Sequence, residues 1–175
     1  MIDTLLLMRL VDKLGQSTHL DDVCRLVVSS KALGYPLAAA SLLVRDDQGV
    51  LQERGRYQLP GSPADFANLA LTFPTPLALA LASPQSSTVT LGAAHSLHPD
   101  ISYPLESSPF ASVWLLPLSS AGEPIGVLMA FSPPRAVPPA LEISHEKLLA
   151  SGLTLAVRQN SWRYRSQPTH PRLAG

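Results

Sequence analysis

Apolar side chains at Ile2, Leu5, Leu6, Leu10 and Leu14 recur at helical spacing, and Gly15 predicts the end of that first helix. The run Thr18-His19-Leu20-Asp21 has the shape of a capping box with Asp in place of Glu, and opens a second helix. Its apolar face is Leu20, Val23, Cys24 and Val27, with Gly34 marking its end. The pattern then changes to short apolar runs. Residues 37–45 read as a strand, Asp46-Asp47-Gln48-Gly49 as a turn, and residues 50–57 as the returning strand.

Ser62-Pro63-Ala64-Asp65 is a helix start: Ser caps, Pro takes the first helical position, and Asp sits in the first turn. Phe66, Leu69, Ala70 and Phe73 line one face of that helix; Pro74 stops it, and Thr75-Pro76 begins another short one. Residues 86–91 read as a strand. Residues 92–109 have no periodicity and contain Pro99 and Pro104, so a long loop is expected there. Two further strands, 111–118 and 124–131, flank a polar turn at 119–123. Pro133 to Pro139 is a rigid connection, after which Ser144 caps a last helix, with Ile143 and Leu148 placed as a hydrophobic staple. That helix carries Leu149, Leu153, Leu155, Val157 and Trp162, and a polar tail holding two prolines follows from Ser166.

Composition narrows the chemistry. The 175 residues suit one domain with a real core, 46% of them hydrophobic and 15% charged. Lys and Arg number 13 and Asp and Glu 13, so there is no cationic excess to displace the counterions of a nucleic acid. A single cysteine, Cys24, excludes an internal disulfide and fits a reducing compartment. The apolar run at the N-terminus is short and interrupted by Asp3, Arg9 and Asp12, which predicts neither a signal peptide nor a spanning helix. A cytoplasmic protein with no membrane partner is expected.

No reactive constellation emerges. His95 and His98 are the only close histidine pair, and neither cysteine nor a second pair completes a zinc site, so no metal and no cofactor are expected. Cys24 lies on an apolar helix face, where a thiol behaves as a small hydrophobe. The serines lack a G-x-S-x-G elbow, and no phosphate-cradling glycine motif is present. These readings predict that the chain is not an enzyme.

The hairpin from Ser112 to Phe131 carries S-x-x-x-x-P-L (Ser112, Pro117, Leu118), a turn, and then Ile125-Gly126-Val127-Leu128. It resembles the signature hairpin of the GAF domain family. The stretches from Ala40 to Leu51 and from Tyr57 to Pro60 resemble that family's opening hairpin and its exit toward a lid helix. The element order matches over residues 20–159. The resemblance implies an α+β, GAF/PAS-like fold with a central antiparallel sheet of five to six strands. Terminal helices would pack on one face, and lid helices and a long loop on the other. It divides the chain into a dimerisation-type helix (1–17), the domain (18–160) and a linker or tail (161–175) leading to an output domain.

The family's modules sense small molecules or pair as dimers. The resemblance therefore implies a sensory, regulatory domain that binds an unidentified small molecule and signals to an output domain in transcriptional regulation, as in LuxR-type regulators. The other reading is a ligand-free domain serving as a dimerisation or protein-interaction scaffold. Pocket candidates are Tyr57, Phe66, Leu69, Phe73, Tyr103, Phe110 and Trp114; a homodimer is expected, with Leu6, Leu10, Leu149 and Val157 as candidates for the interface between its two copies. Strand alternation places Trp114 with Ser112 and Leu116, opposite Val113, Leu115 and Pro117. Which of these sets faces the lid is left open by the alternation alone.

Overall fold

The computed structural model describes residues 3–33, 36–49, 51–60, 87–90, 112–133 and 142–166. The elements in chain order are α1 (Thr4–Gln16), α2 (Leu20–Ser29), β1 (Ala39–Arg45), β2 (Leu51–Gln58), β3 (Ser87–Thr90), β4 (Ser112–Ser120), β5 (Glu123–Ser132) and α3 (Ile143–Ser166). Phe66, Leu69, Phe73, Tyr103, Phe110 and the expected lid helices and loop lie outside the described residues.

Among the described residues the expected first, second and last helices form, but their ends differ in detail. Asp3 caps α1, its Oδ1 accepting from the Leu5 amide at 2.9 Å and the Leu6 amide at 3.4 Å. Gly15 does not end α1; the helix passes through it to Gln16, and Ser17 N–H closes on the Leu14 carbonyl. The buried stripe is Leu7, Leu10 and Leu14, whereas Leu5, Leu6 and Met8 are exposed. At α2 the expected capping box is replaced by His19 at the cap position, with no side-chain hydrogen bond. Asp21 and Asp22 in the first turn complement the helix dipole instead. The helix ends at Ser29, before Gly34 is reached. In α3, Ile143 is exposed and opens the helix, so Ser144 lies inside it and not at the cap, and the helix runs on to Ser166, into the range expected to be linker.

The strands form one antiparallel sheet in the order β2-β1-β5-β4-β3. The β1–β2 turn is closed by the Gly49 amide on the Asp46 carbonyl at 3.0 Å, with Asp46 Oδ1 accepting from the Gln48 amide at 2.9 Å. The β4–β5 turn is tighter than the sequence suggests. Ser120 pairs with Glu123, leaving Ala121 (φ 52°) and Gly122 (φ 80°) as a two-residue loop. Two successive positive φ values are those of a type I′ turn, whose twist matches that of the strands it joins.

Helices α1, α2 and α3 cover one face of the sheet. Leu7, Leu10 and Leu14 of α1, Val23, Cys24 and Val27 of α2, and Leu149, Leu153, Ala156 and Val157 of α3 share a core with Ala40, Leu42, Trp114, Leu116, Leu128 and Ala130. Helices α1 and α3 run in the same direction. Thr4 lies beside His145 near their starts, and Gly15 packs beside Leu155 further along. The result is an α+β arrangement with an antiparallel sheet and a terminal-helix layer on one side.

Candidate functional site

In register, the sheet has a second set of residues pointing away from the helices: Ala39, Ser41 and Leu43 of β1, Val127, Met129 and Phe131 of β5, and Val113 and Leu115 of β4. All eight are buried. Antiparallel sheets with one solvated face alternate apolar and polar residues. Here β1, β4 and β5 are apolar on both faces, and Leu42, Leu43, Leu115, Leu116, Val127 and Leu128 are all buried. The question left by alternation is thereby decided. Trp114, 1% exposed, faces the helices, and Val113, Leu115 and Pro117 face the other side.

That placement takes Trp114 out of any cavity on the second face. Tyr57, opposite Ala40, also lies on the helix side, half-buried against the same core. Of the residues expected between two copies, Leu10, Leu149 and Val157 are buried within the chain's own core, because α1 and α3 need those positions to seat on the sheet. Leu6 is the exposed one of the four, at 38%.

Polar groups enter the second face at β2, and a bulge puts them there. Leu42 pairs with Gly55 and Leu43 with Glu53, so Arg54 is the extra residue of β2. In a regular strand, residues three apart point to opposite faces. The bulge resets that parity and brings Glu53 and Arg56 to the same side. Arg56 Nε lies 2.9 Å from each Glu53 carboxylate oxygen, and Ser41 Oγ donates to Glu53 Oε2. The Glu53 and Arg56 side chains are 22% and 23% exposed, so the pair sits at the boundary between apolar floor and solvent. Sequence reading missed this cluster. Glu53 and Arg56 have the spacing of residues on opposite faces, and no residue type announces the bulge.

The cluster is neutral overall and largely satisfied internally. A carboxylate offers about four lone-pair positions. Among the described residues two donors, Ser41 Oγ and Arg56 Nε, reach Glu53, fewer than its carboxylate can accept. The buried polar atoms that lack a partner among the described residues, Ser132 Oγ and His145 Nδ1, lie elsewhere.

Cys24 is buried between α2 and β1. Its thiol is pushed well above the ordinary range, first by desolvation and then by the nearby Asp21 and Glu53 carboxylates, partly offset by a hydrogen bond with the Leu42 backbone. A thiol held protonated is a poor nucleophile and a poor metal ligand. His95 and His98 lie outside the described residues, among which no group of three or more His, Cys, Asp or Glu could hold a metal ion. Among the described residues no helix is long and apolar enough to cross a membrane.

No protein-family model and no curated protein sequence matches the chain. Solved structures do. The phycoerythrobilin-bound GAF domain of a cyanobacterial phytochrome superposes with a TM-score of 0.58 at 17% identity, covering 91% of this chain and 95% of that one. The GAF domain of an Acinetobacter phosphoenolpyruvate-protein phosphotransferase gives 0.59 at 13% identity, covering 94% and 95%. The corresponding domain from Coxiella burnetii gives 0.56 at 20% identity, covering 91% and 94%. These likenesses extend over nearly the whole chain and nearly the whole of each neighbour, and together with the sheet order and the helix layer they establish that this chain has the GAF fold.

Proposed function

We propose that the chain is a sensory domain that holds a small molecule over the second sheet face and signals its presence to an output domain. The observation that carries this reading is the composition of that face. Leu43, Leu115, Val127, Met129 and Phe131 make an apolar floor, and the Ser41–Glu53–Arg56 cluster supplies an oriented polar group at its β2 side. Small-molecule sites combine these two ingredients, a mostly apolar lining and a few fixed polar groups. One neighbour of the same fold is described with phycoerythrobilin bound. In this reading the domain works in the cytoplasm without catalysis or a resident cofactor and has no nucleic-acid contact of its own. Its output is transcriptional regulation.

Native mass spectrometry of the purified chain, set against its denatured mass, tests the proposal. A retained small molecule that is released on unfolding, and lost when Met129→Glu fills the floor with charge, supports it. Bare polypeptide after growth and after incubation with cell extract counts against it.

A second reading, a scaffold for pairing two copies, is favoured by the surface of the helix layer. Leu5 and Met8 are each 57% exposed and lie three apart on α1, and Leu155 of α3 is 49% exposed. Apolar side chains concentrated on one layer mark an interaction surface. A concentration-dependent dimer abolished by Met8→Glu, with no small molecule retained, would favour the scaffold.

A further inference from the structure

The bulge that creates the polar cluster also seats a helix on the opposite side of the sheet. Gly55, adjacent to the bulged Arg54, points to the helix side opposite Leu42. A Cβ there would stand 2.6 Å from the Leu20 carbonyl oxygen, so the first turn of α2 rests directly on the β2 backbone. The next residue, Arg56, donates its backbone N–H to Asp21 Oδ1 of that same turn at 2.8 Å. Its side chain meanwhile crosses to the second face and pairs with Glu53, which in turn accepts from Ser41.

One residue thus holds α2 by its main chain and the second face by its side chain. We propose that the Arg54 bulge couples the two faces of the sheet, so that a change at the Glu53–Arg56 pair on one side alters how firmly the first turn of α2 is seated on the other. The route is short and contiguous: Ser41 to Glu53, Glu53 to the Arg56 side chain, and the Arg56 amide to Asp21. Edge position makes it workable. Among the described strands β2 ends the sheet order, with β1 as its neighbour, so a shift of its bulged segment would break no second ladder among them. α2 in turn shares its core with α1 and α3, so the terminal helices lie at the end of the same route. The coupling is a property of the fold and holds whether or not the second face takes a ligand.

The test is a double-mutant cycle on the full chain with Asp21→Ala and Glu53→Ala, read as unfolding equilibrium constants in urea. Independent sites add to within about a factor of two in the equilibrium constant, while residues in one network depart from that. Coupling predicts that the double variant loses about fivefold less stability than the product of the single losses. Asp22→Ala, a neighbour on α2 whose carboxylate lies near Arg25 instead, serves as control and combines multiplicatively with Glu53→Ala.

The sign separates the proposal from plain repulsion between Asp21 and Glu53. Two repelling carboxylates would make the double loss exceed the product. Amide hydrogen exchange gives a second readout: in Glu53→Ala the first-turn amides of α2 exchange about tenfold faster, while those in the middle of α1 hold their rates. Where Glu53→Ala does not fold, Glu53→Gln replaces it in both measurements. A product equal to or smaller than the double loss, or unchanged α2 exchange, overturns the coupling.

Discussion

Replacing Gly55 with alanine is a direct probe of how β2 and α2 fit together. The new methyl carbon would lie 2.6 Å from the Leu20 carbonyl oxygen, 2.7 Å from its carbonyl carbon and 2.8 Å from its Cβ. That is about 0.8 Å short of the 3.4 Å at which ordinary contact begins. Two of the three opposing atoms are main chain, so no side chain can swing aside and the first turn of α2 has to lift. Forcing a methylene into a packed site costs roughly 1–3 kcal/mol, and main-chain obstruction places this case near the top of that range. Alanine recovers up to about 1 kcal/mol by restricting the unfolded chain. The net loss is therefore about 2 kcal/mol. For a chain of this size each kcal/mol moves the melting temperature by roughly 2–4 °C, which gives a drop of about 4–8 °C. Calorimetry together with urea titration followed by tryptophan fluorescence measures it, because Trp114 is buried in the core that α2 helps to close. A melting temperature unchanged to within about 1 °C would refute the close seating of α2 on β2.

Three further outcomes rest on the same geometry. Gly15→Ala has room, with Leu155 Cδ2 3.8 Å from the new carbon, and lies within α1. It should stabilise the chain by about 0.5–1 kcal/mol in urea titration, opposite in sign to Gly55→Ala. Ala121 holds a positive φ in the β4–β5 turn, where asparagine is favoured, so Ala121→Asn should add roughly 0.5–1 kcal/mol, read by the same titration. The Cys24 thiol should resist a disulfide reagent at pH 8 in the folded chain and react at once in urea. Because its folded value is raised, burial of the protonated thiol contributes in full below its ordinary 9.0 and is progressively lost above it, so urea midpoints should fall as pH rises beyond that point.

Much of the fold is legible locally. The Asp46–Gly49 turn, the hairpin through Ala121 and Gly122, and the apolar face of α2 are written in short-range patterns that act before any long-range contact forms. The order of elements, and with it the resemblance to GAF domains, comes from those patterns. The apolar stripe of α1 is less legible. Leu5, Leu6, Leu7 and Met8 are consecutive, so every side of the first turns is apolar, and the neighbouring core selects Leu7 while leaving Leu5 and Met8 in solvent.

The site itself belongs to tertiary structure. Strand alternation divides β4 into two sets but does not say which side the helices take; the packing of α1, α2 and α3 assigns Trp114 to the core and Leu115 to the second face. A single inserted residue in β2 reverses the parity of Gly55, Arg56 and Tyr57 beyond it, and no propensity of Arg54 marks it. Glu53 and Arg56 meet because pairing with β1 skips Arg54. Within the described residues, the sequence by itself therefore determined the helices and strands, their order and the α+β class, since periodicity and turn chemistry act within a few residues. Only the assembled sheet decided which residues share a face and where its polar group stands, because strand register is settled by contacts between segments far apart in the chain.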